Sequence, residues 1–305
     1  MFPRPLLLAK SSIGGHLSVP SGTCPTPMGV LVWGTQEMTM YLRRRAGFSA
    51  GFRRPPPGDT GRGHNYLCEL TVGGTVAPET GMVINIKDVD TVLKAHVVGP
   101  LDGKLLDVEV PAFLDMPPTL ENLVRLIWDR CRPALPPQSA LARVTLWATP
   151  TRRVELSTIQ TPNEEAMLTV TRTYDFSASH RLNSAMLSDE ENAEIFGKCN
   201  WANGHGHNYE VEVTLAGDPD PRTGFLWDPD RLDQIVDEEV LKPYDHKHLN
   251  HDTADFRDLN PTSENLTQVV WDNLFRRLGN ENLGSARLYR VAVRETARNY
   301  FECYG

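Results

Sequence analysis

The stretch Gly197–Val213, GKCNWANGHGHNYEVEV, sets one thiol and two imidazoles at the head of an alternating apolar run. His205 and His207 are two residues apart, so on a strand both rings point to one side. His180 ends an earlier alternating run, MLTVTRTYDFSASH, and comes alongside them if the two strands pair. Two strand histidines alone fit hydrogen bonding in a polar crevice as well as they fit a metal. Three, with no fourth protein ligand nearby, fit an open catalytic zinc site better. Cys199 lies in the Gly/Asn-rich loop before His205, where a thiol near a metal serves as base or nucleophile. Its spacing alone favours an inert small side chain. In YDHKHLNHD, Asp245 directly precedes His246, a pairing that suits an oriented proton relay or merely a solvated loop. Glu295 follows VAV at a strand's end, where an acceptor-only carboxylate can clamp N–H groups of a ligand.

The elements that carry these residues read as β-β-α-β. HGHNYEVEVTLAG alternates, with His205, His207, Tyr209, Val211, Val213 and Leu215 on one face. A short helix is expected over SDEENAEIF, with Ser188 and Glu191 as a capping box. DPDRLDQIVDEEVL is a second helix, capped by Asp228 with Pro229 at its first position. TSENLTQVVWDNLFRRL is a third, apolar at Leu266, Val269, Val270 and Leu274, and LYRVAVRET is the strand that ends at Glu295.

The chain says nearly the same thing twice. GRGHNY at Gly61 aligns with GHGHNY at Gly204, an offset of 204 − 61 = 143, and PTLENLVRLIWD from Pro118 meets PTSENLTQVVWD from Pro261 at the same offset. Upstream, FSAGFR from Phe48 matches FSASHR from Phe176 at 128, so the first repeat lacks 15 residues between these landmarks. The expected organisation is a poorly ordered tail over 1–37, a first domain over 38–157, a polar linker over 158–165 and a second domain over 166–305.

Bulk properties exclude several classes. The net charge of 31 − 39 = −8 argues against a general nucleic-acid coat. Residues 1–160 carry 17 − 13 = +4 and residues 161–305 carry 14 − 26 = −12, so the two parts can attract each other. The five cysteines at 24, 68, 131, 199 and 303 are odd in number and widely spaced, as in a reduced cytoplasmic chain. No apolar run approaches the roughly 20 residues of a membrane span.

Together FSASHR, FGKCN…NGHGHNY, DHKHLN, PTSENL and RETARN resemble the 6-pyruvoyl-tetrahydropterin synthase family and its relative, the 6-carboxytetrahydropterin synthases of the queuosine pathway. The match covers essentially all of 168–305; the first repeat resembles the same family weakly. The resemblance implies an α+β fold of two tandem tunnelling-fold (T-fold) domains, each an antiparallel sheet with two helices on one face. It implies zinc on His180, His205 and His207. It implies Cys199 as general base with Asp245 and His246 as relay, and Glu295, Thr262 and Ser263 as binders of the substrate, 7,8-dihydroneopterin triphosphate. The C-x5-H-x-H spacing favours a pyruvoyl product over the carboxy product, whose enzymes usually show C-x3-H-x-H. A non-catalytic zinc- or pterin-binding scaffold and another T-fold enzyme are the remaining alternatives.

The same positions in the first repeat are stripped. His180 becomes Phe52, His205 becomes Arg62, His246 becomes Gly103 and, at an offset of 147, Glu295 becomes Ala148. The GKCN loop has no counterpart, so only His64 and Asp102 remain and the first repeat is expected to be catalytically dead. Family resemblance also implies a homo-oligomer, a trimer of tandem chains resembling a hexamer of T-folds, with live repeats in one ring and dead ones in the other. Arg43, Arg44, Arg45, Arg53, Arg54 and Arg62 are expected either to bind an anion or to form a solvated basic strand.

Overall fold

The computed structural model describes residues 39–54, 62–159, 161 and 165–305. The tail expected over 1–37 lies outside the described residues. Eight long strands follow the alternating runs: β1 (Met40–Gly51), β2 (Gly63–Gly74), β3 (Ala140–Thr149), β4 (Arg152–Ser157), β5 (Met167–His180), β6 (His205–Ala216), β7 (Arg287–Thr296) and β8 (Asn299–Tyr304). The principal helices are α1 (Ile86–Leu93), α2 (Leu120–Cys131), α3 (Asp189–Phe196), α4 (Pro229–Val236) and α5 (Ser263–Leu278). The starts follow from the caps. Asn85, Thr119, Ser188, Asp228 and Thr262 each accept a backbone N–H of the first turn, and Ser188 with Glu191 completes the capping box.

All eight strands lie in one ten-stranded sheet, in the order β8-β7-β6-β5-β4-β3-β2-β1, every neighbouring pair antiparallel. Two short strands complete it: Lys104–Leu105 runs parallel to the end of β1 and Lys247–His248 parallel to the end of β5. Each repeat supplies four long strands and a matching pair of helices, α1 and α2 in the first and α4 and α5 in the second, which is the T-fold arrangement, while α3 has no counterpart in the first repeat. One core runs through both repeats and includes Leu70, Val124, Ile127 and Leu146 of the first and Val213, Ile235, Val270 and Val291 of the second. Fully burying such a side chain contributes about 1.5–3 kcal/mol.

Two expectations change. The two repeats, expected as separate domains on either side of a linker, are halves of one sheet. Thr158 donates from its N–H and hydroxyl to the Ala142 carbonyl, and β4 pairs directly with β5 from Arg152↔Arg172 to Ser157↔Met167. The two repeats are therefore neighbours in one sheet, not members of separate rings. The return strands β4 and β8 were also missed, because each is only six residues long and follows a two-residue turn whose polar residues blur the alternation.

Candidate metal and ligand site

The β5–β6 ladder assembles the histidines. Its register ends with Ala178↔His207 and His180↔His205, which brings all three rings to one end of the strand pair. Their candidate ligand atoms lie within 4.8 Å of one another. His180 Nδ1 donates to the Pro261 carbonyl at 2.7 Å, which fixes the tautomer and leaves Nε2 as a lone pair. That Nε2 lies 3.2 Å from His205 Nε2. The His207 Nε2 and His205 Nδ1 atoms are buried without a hydrogen-bond partner. Lone pairs aimed at one another, beside an orphaned buried nitrogen, are costly unless a cation sits between them. Burial, then the neighbouring imidazole of His205, outweigh the Pro261 bond and depress His180 to about 4. Burial and His207 likewise lower His205. His180 and His205 are thus biased toward the neutral form, the protonation state a metal requires, and the donor set of three imidazoles fits zinc with an open coordination position.

Glu295, at the end of β7, reaches the same cluster. Its Oε1 lies 3.7 Å from His180 Nε2 and 3.6 Å from His207 Nε2, and Asn299 donates to Oε2 at 2.9 Å. Burial alone would raise its pKa. The bonds from Asn299 and the Ser263 hydroxyl, with His207 and His180 nearby, pull it below the ordinary carboxylate value. The carboxylate therefore stays ionised and able to accept from N–H donors. Ser263 is buried beside it, and Thr262 is the half-buried N-cap of α5, its hydroxyl accepting the Asn265 N–H at 3.2 Å.

Cys199 sits on the turn Gly197–Asn200, where its carbonyl accepts the Leu182 N–H. Asp245 and His246 do pair, Nδ1 to Oδ2 at 2.8 Å. The Ser177 N–H, at 2.9 Å, and then His246 lower the Asp245 pKa. The pair does not meet Cys199 by any hydrogen bond among the described residues. It lies beyond the other edge of β5, where His246 and His207 line one open groove with Ser177, Gly206 and Asn208. His246 is the one non-glycine residue at positive φ among the described residues, at 57°. Strain of that kind is kept where a side chain has a task.

The first repeat reproduces the scaffold and not the chemistry. Ala50↔His64 repeats Ala178↔His207, Asp102 accepts the Ser49 N–H as Asp245 accepts that of Ser177, and Gly103 takes the left-handed position, φ 71°, that His246 fills. Phe52 packs edge-on to His64 where His180 meets His207, and Ala148 is buried where Glu295 stands. The arginines are dispersed by strand alternation. Arg44 pairs with Asp90 on the helix side, Arg45 with Glu69 on the other face, and the backbone N–H groups of Arg53 and Arg54 bind Asp107.

Sequence reasoning missed two features. Glu121 is wholly buried where the repeats meet, its Oε1 accepting the Leu226 N–H at 3.1 Å. Glu212 is held by Arg153 from β4 and by Arg290 from β7, which overcome burial and bring it to about 2. Neither follows from local pattern, since each depends on partners 59 to 105 residues away.

The family model described as 6-pyruvoyl tetrahydropterin synthase matches residues 41–158 and again 169–305. The human 6-pyruvoyl tetrahydrobiopterin synthase is 47% identical over 130 residues, 43% of this chain and 86% of that protein. The Drosophila melanogaster 6-pyruvoyl tetrahydrobiopterin synthase is 41% identical over 143 residues, 47% of this chain and 83% of its own length. A Bacillus subtilis 6-carboxy-5,6,7,8-tetrahydropterin synthase is 37% identical over 101 residues, 32% of this chain and 64% of that protein. The solved structure of the Caenorhabditis elegans 6-pyruvoyl tetrahydropterin synthase shares 40% identity and covers 46% of this chain and 96% of that one, with a TM-score of 0.42.

Proposed function

The chain belongs to the 6-pyruvoyl tetrahydropterin synthase family, and we propose that its second repeat converts 7,8-dihydroneopterin triphosphate to 6-pyruvoyl-tetrahydropterin with loss of triphosphate. The observation that carries this reading is the convergence of three imidazoles and one carboxylate in the second repeat, beside the replacement of His180, His205 and Glu295 by Phe52, Arg62 and Ala148 in the first. Zinc held by His180, His205 and His207 would supply Lewis-acid polarisation of the substrate's side-chain oxygens.

The remaining work falls to the chain's own groups. Glu295 accepts hydrogen bonds from the guanidine-like edge of the pterin, with Ser263 and Thr262 beside it. Its low pKa keeps both oxygens as acceptors at neutral pH. Cys199 takes a proton from the substrate side chain, and the Asp245–His246 pair shuttles protons at the other side of the groove. Because His246 and His207 share that groove while Cys199 lies apart, substrate or water bridges the two proton-handling groups. The elimination releases triphosphate. Function as an oligomer in the cytoplasm belongs to the same proposal. No helix among the described residues is long and apolar enough to cross a membrane.

The deciding assay incubates zinc-loaded protein with dihydroneopterin triphosphate and identifies the products. Pyruvoyl-tetrahydropterin with triphosphate is expected. Carboxy-tetrahydropterin with acetaldehyde would assign the chain to the chemistry named for the Bacillus relative. No turnover would leave a scaffold.

A further inference from the structure

The sheet face turned away from the helices carries a row of polar residues that the two repeats complete differently. In the second repeat the row is Thr171↔Thr214↔Arg290, across β5, β6 and β7. It is closed on itself. The Thr171 and Thr214 hydroxyls bond each other at 2.9 Å. Arg290 is held by Glu212, which also accepts from Arg153, and by Glu302 at 3.1 Å.

The counterparts in the first repeat, at offsets of 128, 143 and 147, are Arg43, Thr71 and Arg143, in the same register across β1, β2 and β3. Two replacements open the row. Arg43 stands where Thr171 does, so Thr71 loses its hydroxyl partner. Its Oγ1 is buried without a hydrogen bond, on a side chain only 1% exposed. Arg45 stands where Thr173 does and takes Glu69, the counterpart of Glu212, at 2.7 Å. Its guanidinium also lies over Trp147, 5.4 Å from the ring centre, which fixes it there. Arg143 is thereby deprived of the carboxylate that holds Arg290. It keeps the Ser157 hydroxyl at 3.3 Å and Glu155 at 3.8 Å, and that carboxylate already accepts from the Thr145 hydroxyl at 2.9 Å. Arg43 is exposed and, among the described residues, pairs with no carboxylate.

The three side chains lack the same thing. Cross-strand neighbours share one face, and a guanidinium can only donate, so neither arginine can accept the Thr71 proton. Arg43, Arg143 and Ser157 line a cavity of about 380 Å³, with Thr71 between the two arginines in the register. An acceptor with several oxygens and a negative charge would satisfy all three donors, and the planar guanidinium fork matches a phosphate group in particular. We propose that Arg43, Thr71 and Arg143 bind an oxyanion of the phosphate class, at a site that the first repeat has and the second has not. Arg53, Arg54 and Arg62 take no part: the first two line a separate cavity with Asp107, and the Arg62 guanidinium bonds the Arg53 carbonyl. The inference rests on the sheet alone and not on the proposed function.

The experiment uses the full chain, free of metal and of pterin substrate, so its failure is separate from failure of the proposed function. Inorganic phosphate and inorganic triphosphate are titrated by calorimetry at constant ionic strength. Both should bind; tighter binding of triphosphate assigns the cavity to a chain of phosphates, and equal affinity to a single oxyanion. The double substitution Arg43→Thr, Arg45→Thr gives the first repeat the residues of the second. It should restore the bond between hydroxyls, free Glu69 for Arg143, and leave the urea midpoint undiminished. It should weaken binding roughly tenfold or more, the loss expected when a charge-assisted contact is removed. Arg143→Gln, on a different strand, should weaken binding to a similar extent, so a folding defect in the first variant does not decide the result. Absence of binding to the parent chain at millimolar probe would overturn the proposal. So would parental affinity in both variants, because the anion would then sit elsewhere.

Discussion

At the scale of single residues, the first repeat works as a built-in mutant, because it shows which side chains the scaffold keeps without the chemistry. Asp102 persists because it caps a backbone N–H; His246 is replaced by Gly103 because the backbone there prefers glycine. His246→Gly should therefore preserve the fold and exceed His246→Ala in stability by about 1 kcal/mol, since alanine retains the left-handed strain. Urea midpoints of the two variants check this, and equal midpoints would remove the argument that strain is held for function. Both variants should lose turnover if His246 handles protons. Cys199→Ala should retain one zinc per chain and lose roughly 10²–10⁴-fold in turnover. His205→Ala should lose the metal itself, read by metal analysis after gel filtration. Persistent activity in Cys199→Ala would show that another group is the base.

At the scale of elements, helix α2 buries a carboxyl group where the repeats meet. Glu121 is pushed up to about 7, chiefly by burial, against the Leu226 N–H bond and the positive charges of Arg152 and Arg172. The folded chain holds this proton and the unfolded chain gives it up near 4.5. Folding thus gains from protonation below 4.5, and that gain is lost as pH rises through 7. The loss is roughly 3 kcal/mol by linkage. Glu121→Gln should remove this slope while still accepting from Leu226, so the difference between variant and parent should grow from pH 5 to pH 8. Parallel stability curves would show that Glu121 is ionised in the fold. The contrast with the histidines marks what the sequence discloses. His180, His205, His207 and Glu295 were legible because strand periodicity places them and an intact motif surrounds them. The Asp228 and Ser188 caps were legible because capping is local. The junction was not, because Glu121 and Glu264 look alike in sequence and differ only in what covers them. The adjacency of β4 and β5 was hidden for the same reason, since pairing between repeats leaves no trace in the periodicity of either strand.

At the scale of the whole molecule, one sheet and one core make the first repeat part of the second repeat's stability. Arg153 of the first repeat binds Glu212 of the second, Leu226 of the second hangs on Glu121 of the first, and the apolar core does not break between them. Separate domains would melt in separate steps. A shared core should melt in one, with calorimetric and van't Hoff enthalpies in agreement. The sharp form of this prediction uses a cavity far from the histidines. Leu70, fully buried in β2 of the first repeat, should cost about 2–5 kcal/mol when changed to alanine. In a unit of this size that lowers the midpoint by roughly 2–4 °C per kcal/mol. If the repeats unfold together, the midpoint seen from the second repeat falls by the same amount as that seen from the first. Zinc acts in the opposite direction: at 1,000 times its dissociation constant, binding to the folded state alone adds about 4 kcal/mol. That gain should slow hydrogen exchange of the β2 and α2 amides, which touch no metal ligand, as well as those of β5 and β6. Protection confined to β5 and β6, or a Leu70→Ala transition that leaves the second repeat's midpoint in place, would mean that the histidine site stands without its degenerate neighbour.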